Sequence, residues 1–181
     1  IQMIINFKKK QRKIEAGFTI VEVLIASFVF SIIAIGISGI FIGILQNERR
    51  AFAAQKIEEN EMFVLEMMAR DIRVSKIQDQ DDLNCGLTTL TITHPVKGAI
   101  IYGLNSGVVR KTEGGTTVDI SSSAVNFTRM NFCVRGSGAT DLKQTVVTII
   151  SSVQNRTGKE TIKFDIQTAV SSRSVETEFL Q

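Results

Sequence analysis

A 28-residue apolar stretch with a single charged side chain limits what this chain can fold into. Between Phe18 and Leu45 the only ionisable residue is Glu22, and all the others are apolar or small. About 20 apolar residues are enough for a helix to cross the hydrocarbon core of a bilayer. The stretch therefore predicts a membrane-spanning helix over 18–45. Because a carboxylate inside such a helix costs roughly 2.5–3.5 kcal/mol, we expect Glu22 to have a partner and a function.

A basic leader and a Gly-Phe junction come before the apolar stretch. The leader, 1–17, ends at Gly17, which Phe18 follows, and Glu22 is the fifth residue beyond that glycine. The leader contains five basic residues, Lys8, Lys9, Lys10, Arg12 and Lys13. A charged leader, a Gly-Phe junction and a glutamate at this spacing resemble the class III signal of type IV pilins and pseudopilins.

The resemblance implies a processing scheme and a role for each residue of the motif. In that family a membrane peptidase cuts after the glycine, here between Gly17 and Phe18, and methylates the new amino group of Phe18. The apolar helix then stays on the mature protein. Glu22 would form an assembly salt bridge with the Phe18 ammonium group of a neighbouring subunit. Snorkelling of Glu22 to the cytoplasmic interface is the alternative, and the two are compatible.

The same resemblance implies a set of partners. These are the prepilin peptidase, which is also the methylase, other pilin or pseudopilin subunits, an inner-membrane assembly platform and the lipid bilayer. An ordinary secretory signal does not fit, because its apolar core has only about 7–15 residues and ends in a small-x-small cleavage site. A plain signal anchor explains the length and the basic flank, but not the spacing from Gly17 to Glu22.

The charge distribution predicts topology rather than nucleic-acid binding. The chain has a net charge of +3 and a pI near 9.0. The leader alone, with Glu15 as its one acid, carries +4, so the remainder is close to −1. Lys and Arg beside a membrane helix stay in the cytoplasm. We therefore expect a single-pass protein of the inner membrane, with residues beyond Leu45 outside the cytoplasm, which enters a filament after assembly. A basic nucleic-acid-binding surface is not supported.

The helix is predicted to continue beyond the apolar stretch. Neither Gly nor Pro occurs from Gln46 to Asn84. Apolar residues recur there at three- and four-residue spacing, namely Ala54, Ile57, Val64, Leu65, Met68 and Ile72. We predict one helix from Phe18 to Ile77, with an amphipathic half over 46–78.

The remainder of the chain, 79–181, is predicted to form an exported β-rich domain. Seven short runs have strand character: Leu87–Thr93, Ala99–Leu104, Val108–Lys111, Thr116–Ile120, Val125–Val134, Leu142–Ser151 and Glu160–Val170. A long amino-terminal helix packed on an antiparallel sheet is an α+β fold and the pilin arrangement.

A weaker similarity points to a subclass of that family. Arg70-Asp71-Ile72, the hairpin sequence from Tyr102 to Arg110, and the run from Thr168 to Arg173 are similar to larger minor pilins and J-type pseudopilins. This similarity implies a minor component. Whether it serves a type IV pilus, a competence pseudopilus or a type II secretion pseudopilus is left open.

Two cysteines lie in the part predicted to be exported. Outside the cytoplasm, Cys85 and Cys133 can form a disulfide that closes a 49-residue loop, counting both ends. In the chain-entropy model such a bridge contributes roughly 3–4 kcal/mol. Two free buried thiols are the alternative.

The residues that most catalytic, metal or cofactor sites need are missing from the pattern. The single histidine, His94, precedes the single proline, Pro95, which is typical of a turn or strand end. The acidic cluster Asp79, Asp81 and Asp82 lacks the spacing of a calcium loop and reads as a linker. We therefore predict no enzyme, no cofactor and no metal. The leading hypothesis is a structural prepilin subunit. The alternative is a signal-anchored extracytoplasmic binding domain that contacts a surface in adhesion, DNA or a cargo.

Overall fold

The computed structural model describes residues 17–77, 79–138, 143–156 and 161–173. Within these ranges there are one helix, α1 (Ile20–Val74), and seven strands. The strands are β1 (Thr89–His94), β2 (Gly98–Asn105), β3 (Val108–Glu113), β4 (Thr116–Asp119), β5 (Val125–Arg135), β6 (Val146–Asn155) and β7 (Lys163–Ser171). The leader up to residue 16 lies outside the described residues, as do Leu142 and Glu160, where two strands were predicted to begin. The α+β arrangement predicted from the sequence is confirmed.

By internal contacts the chain divides into two units, Ile1–Gln46 and Asn47–Gln181. In the first unit, the described residues belong to the start of α1 and to the three residues before it. The second unit contains the rest of α1 and all seven strands.

In the second unit, one face of α1 packs into the core. Its buried residues are Ile57, Glu61, Val64, Leu65, Met68, Asp71 and Ile72, which recur every three or four positions. This spacing places them on a single stripe of the helix, as the sequence predicted. Glu61 and Asp71 are the two acids in this stripe, and the apolar pattern gave no sign that they would be buried.

The helix ends at Val74, three residues earlier than predicted. Lys76 forms an isolated β-bridge with Thr93, and each backbone N–H of this pair donates to the other residue's carbonyl. This pairing needs an extended backbone, so the chain leaves the helix before Lys76. The pairing partner comes from β1, which no local helix signal in the sequence could reveal.

The strands form two antiparallel sheets rather than one. The first sheet has the order β1-β2-β3-β4, and the second has the order β5-β6-β7. Each predicted strand is present, with ends shifted by a few residues. Leu87, the predicted start of the first strand, instead forms an isolated bridge with Phe132 of β5. The chain therefore contacts the second sheet before it enters the first.

The core joins α1 to both sheets within the second unit. Leu90, Ile92, Ile100 and Tyr102 come from the first sheet, and Phe127, Phe132, Val147 and Ile149 come from the second. All eight are fully or almost fully buried against the inward stripe of α1.

Candidate functional site

Thr19 caps the amino-terminal end of α1, which begins at Ile20. The Thr19 hydroxyl oxygen accepts a 3.2 Å hydrogen bond from the N–H of Glu22, and the Thr19 carbonyl accepts one from the N–H of Val23. A threonine at the N-cap with a glutamate three residues later is the sequence signature of a capping box. The Thr-x-x-Glu spacing of Thr19 and Glu22 is a functional signal in the sequence that the spacing from Gly17 alone does not include. Thr19 thus fixes where α1 begins.

The Glu22 carboxylate is exposed in the first turn of α1. A negative charge at this position is stabilised by the positive end of the helix dipole. In the described part of the chain, no residue forms a salt bridge with Glu22. The helix cap uses only the backbone N–H of Glu22, so the Glu22 carboxylate can pair with a cation from another molecule.

The Gly17–Phe18 peptide bond lies immediately before this cap. Both residues are non-helical and exposed, and the Phe18 side chain is 82% accessible. A Cβ built on Gly17 would meet no described atom within 4 Å. The structure therefore places the predicted cleavage bond, the predicted new amino terminus and Glu22 within one short segment around the start of α1.

The apolar stretch that follows leaves its large side chains uncovered. Phe18 to Ile44 supplies most of the exposed large apolar residues of the chain, and one window of α1 reaches a mean hydropathy of 2.6. Among the described residues, α1 is the one helix long and apolar enough to cross a membrane. Ser27, Ser31 and Ser38 each donate their hydroxyl hydrogen to the carbonyl four residues earlier, at 2.7–2.8 Å. Their polar groups are thus satisfied within the helix, as a hydrocarbon environment requires.

This segment matches a known family model. Residues 12–38 match the family model described as the prokaryotic N-terminal methylation motif. The matched stretch contains Gly17, Phe18 and Glu22, together with the first part of α1. No curated protein and no solved structure gives a significant match. The methylation motif supports a type IV pilin-like prepilin subunit that is anchored in the membrane.

Beyond the methylation motif, the second unit holds a buried charge cluster. Asp71 of α1 accepts hydrogen bonds through Oδ2 from the Tyr102 hydroxyl at 2.6 Å and from Lys111 Nζ at 2.8 Å. Lys111 also lies 2.8 Å from Oε2 of Glu113, and Lys97 Nζ lies 3.9 Å from Oδ1 of Asp71. Asp71, Tyr102 and Lys111 are all buried. The cluster therefore ties α1 to β2 and β3.

The charges in this cluster stabilise one another. Burial acts to raise the pKa of Asp71, but the hydrogen bonds from Lys111 and Tyr102 and the charges of Lys111 and Lys97 outweigh it, so this pKa lies below its usual value. Burial likewise acts to lower the pKa of Lys111, yet Asp71 and Glu113 hold it above its usual value. Burial, and then the Asp71 carboxylate, raise the pKa of Tyr102. An ion pair, with a neutral tyrosine beside it, is the expected state at neutral pH.

A second buried acid, Glu61, lacks such compensation. Its Oε1 accepts a hydrogen bond from the Ser151 hydroxyl, while its Oε2 is buried without a partner among the described residues. Burial raises the pKa of Glu61, the Ser151 hydrogen bond opposes this, and the charge of Asp165 adds to the increase. Both acids carry a desolvation cost, but only that of Asp71 is offset by its partners.

The structure joins Cys85 and Cys133 in a disulfide. Around it, the segment before β1 forms hydrogen bonds with β5: the Asp82 N–H donates to the Val134 carbonyl, and the Asn131 side-chain amide donates to the Cys85 carbonyl. The bridge therefore connects the segment leading into the first sheet with a strand of the second sheet.

The remaining predicted polar residues have structural partners. His94 ends β1, and its Nδ1 accepts hydrogen bonds from the N–H groups of Val96 and Lys97. Asp82 accepts from the N–H groups of Asn84 and Gly86, and Asp81 accepts from Ser137. In residues 17–77, 79–138, 143–156 and 161–173, no group of His, Cys, Asp and Glu side chains could hold a metal ion. The acidic cluster was predicted to be a linker, and these contacts hold that linker in place.

Proposed function

We propose that this chain is a prepilin-type structural subunit. It is cleaved between Gly17 and Phe18, methylated on the Phe18 amino group, and assembled as a minor pilin or pseudopilin into a type IV pilus or a type II secretion or competence pseudopilus. The observation that carries the proposal is the methylation motif over residues 12–38, which contains an exposed Gly17–Phe18 bond directly before a capped helix.

The proposed organisation has four parts. A basic leader, 1–17, remains in the cytoplasm until it is removed, and 18–45 crosses the inner membrane. The amphipathic part of the helix, 46–78, and the β-rich domain, 79–181, lie outside the cytoplasm. The partners are the prepilin peptidase, other pilin or pseudopilin subunits, the inner-membrane assembly platform and the bilayer.

Glu22 is proposed as the residue that docks each new subunit. Cleavage leaves an ammonium group on Phe18, and an exposed carboxylate in an apolar helix is the complementary charge. The pair is favourable only where both groups have already lost water, because two charges attract far more strongly at low dielectric constant. The Phe18 ammonium group of one subunit would therefore form a salt bridge with the Glu22 carboxylate of its neighbour.

The proposed minor-subunit role has support from the exported domain. The weaker sequence similarity depends on three segments, of which two are Arg70-Asp71-Ile72 and the segment from Tyr102 to Arg110. These segments are far apart in the chain, yet Asp71 and Tyr102 hydrogen-bond to each other in the core. The similarity therefore involves residues that act together rather than two unrelated matches.

The docking role is tested with Glu22→Ala and Glu22→Gln in cells that contain the native assembly machinery. Both variants keep the backbone N–H that binds Thr19, so the helix cap survives. We expect both variants to be cleaved, but we expect their amount in sheared filaments to be at least tenfold below that of wild type. Glu48→Gln, an exposed acid of α1 outside the apolar stretch, should incorporate normally. Full incorporation of the two Glu22 variants would show that the docking role is wrong.

A further inference from the structure

A groove with a basic rim lies between α1 and the second sheet. Its volume is about 240 Å³, and it is lined by α1 residues that follow Gln46, by the start of β5 and by the end of β6. Ile57 is buried on its closed side, Ala53 is half-buried, and Phe52 is 58% exposed. Arg49 and Lys56 supply its two cationic side chains. We propose that this groove binds the phosphate head group of an anionic phospholipid, a proposal that rests on the membrane insertion in the proposed function.

The charge of the groove favours an anion. Arg49 and Lys56 are seven residues apart, which is close to two helical turns, so they lie on the same face of α1. The described residues that line the groove include no acid. Among the described residues, neither cation forms a salt bridge. An arginine can bind two phosphate oxygens at once, and a lysine adds a second point charge.

The apolar surface of the groove favours a lipid over free phosphate. Phe52, Ala53 and Ile57 offer contacts that an inorganic ion cannot use, whereas the glycerol and upper acyl carbons of a phospholipid can. Interfacial helices bury Phe and other large apolar side chains at the boundary between head groups and acyl chains. A site that pairs two cations with apolar contacts matches the two halves of a phospholipid.

The position of the groove in the sequence agrees with this ligand. Arg49 follows Leu45, the last residue of the apolar stretch, by four positions. Basic residues next to a membrane segment attract anionic lipids. In the proposed topology these two cations lie outside the cytoplasm, against the usual preference of Lys and Arg for the cytoplasmic side. A bound anionic head group offsets their charge there.

The test is native mass spectrometry of the full chain in detergent, titrated with phosphatidylglycerol or with phosphatidylcholine. We expect wild-type protein to bind one phosphatidylglycerol at least tenfold more tightly than phosphatidylcholine. The double variant Arg49→Gln/Lys56→Gln should lose this binding at least tenfold. The control Arg70→Gln/Arg73→Gln removes the same charge from exposed positions of the same helix and should stay within twofold of wild type.

Two results would overturn the proposal. The first is equal binding of the two lipids by wild-type protein, and the second is unchanged phosphatidylglycerol binding by the double variant. If that unchanged lipid binding comes with a loss of dimers, the groove is assigned to a second copy of the chain. The same spectra show whether the leader has been removed. A failure of the proposed processing is thus seen separately from a failure of lipid binding.

Discussion

The Tyr102 hydroxyl donates a 2.6 Å hydrogen bond to Oδ2 of Asp71, and both side chains are buried. Tyr102 belongs to β2 and Asp71 to α1, three residues before the helix ends. Lys111 of β3 reaches the same carboxylate oxygen. Two adjacent strands thus hold the last turn of α1 through one acid.

Replacement of Asp71 by Asn should be strongly destabilising. The variant keeps the shape of the side chain and an acceptor for Tyr102, but it leaves the Lys111 ammonium group buried without its main countercharge. Breaking a buried pair in this way costs about 3–5 kcal/mol. The measurement is thermal or urea unfolding of the full chain in detergent, followed by circular dichroism.

The Arg110–Asp119 pair provides the control for that experiment. Both of its side chains are well exposed, at 40% and 55%, although Arg110 Nε lies only 2.8 Å from Asp119 Oδ1. Asp119→Asn should therefore change stability by less than about 1 kcal/mol. Equal effects of Asp71→Asn and Asp119→Asn would refute the importance of the buried cluster.

The effect of Asp71→Asn should depend on pH. The pKa of Asp71 is lowered in the folded protein, so its contribution is present above the pKa of the unfolded chain and is lost as pH falls through the folded pKa. The stability difference between wild type and Asp71→Asn should thus be largest near neutral pH and shrink in strong acid. A difference that stays constant with pH would contradict the charge-based account.

Glu61 should show the opposite behaviour. The pKa of Glu61 is raised in the folded protein. The stability that this group contributes is therefore fully present below its pKa in the unfolded chain and is lost as pH rises through its pKa in the folded protein. Glu61→Gln keeps an acceptor for Ser151 and removes the charge. We expect it to stabilise the protein at pH 7, because the variant no longer buries a charge, with a smaller gain in acid, where Glu61 itself becomes neutral.

Glu66→Gln is the matched control for Glu61→Gln, since Glu66 lies on the same helix and is exposed. It should leave stability almost unchanged at every pH. Unfolding of both variants between pH 4 and pH 8 separates the buried acid from a general effect of charge. Destabilisation by Glu61→Gln at pH 7 would contradict the view that the buried charge of Glu61 costs stability.

Removal of the disulfide should weaken the second unit without changing its topology. Cys85→Ser/Cys133→Ser loses a cross-link across 48 positions, which corresponds to roughly 3–4 kcal/mol in the chain-entropy model. The hydrogen bonds from Phe132 to Leu87 and from Asp82 to Val134 remain to hold the segment. Unfolding with and without reductant measures the effect in wild type, and reductant should not alter the double variant. Equal stability of oxidised and reduced wild type would contradict the prediction.

The sequence predicted the elements better than their assembly. The apolar stretch, the spacing of Ile57, Val64 and Ile72, and the β-rich runs are local patterns, and each became the expected helix or strand. The division into two sheets could not be predicted, because strand pairing depends on contacts between distant segments. The early end of α1 has the same origin, since Lys76 pairs with a residue of β1.

The buried acids were missed for a related reason. Glu61 and Asp71 look like ordinary polar residues on an amphipathic helix, and only their partners, Ser151, Tyr102 and Lys111, show that they face inward. Around Glu22 the case is reversed. The spacing from Gly17 singled out Glu22 in the sequence, and the Thr-x-x-Glu spacing of Thr19 and Glu22 is likewise a local signal for the helix cap.

The intact mass of the protein extracted from its native membrane shows directly whether prepilin processing takes place. If it does, the chain begins at Phe18 and carries one added methyl group on its amino terminus. A chain that retains Lys8 to Gly17, from a cell with an active prepilin peptidase, would contradict prepilin processing.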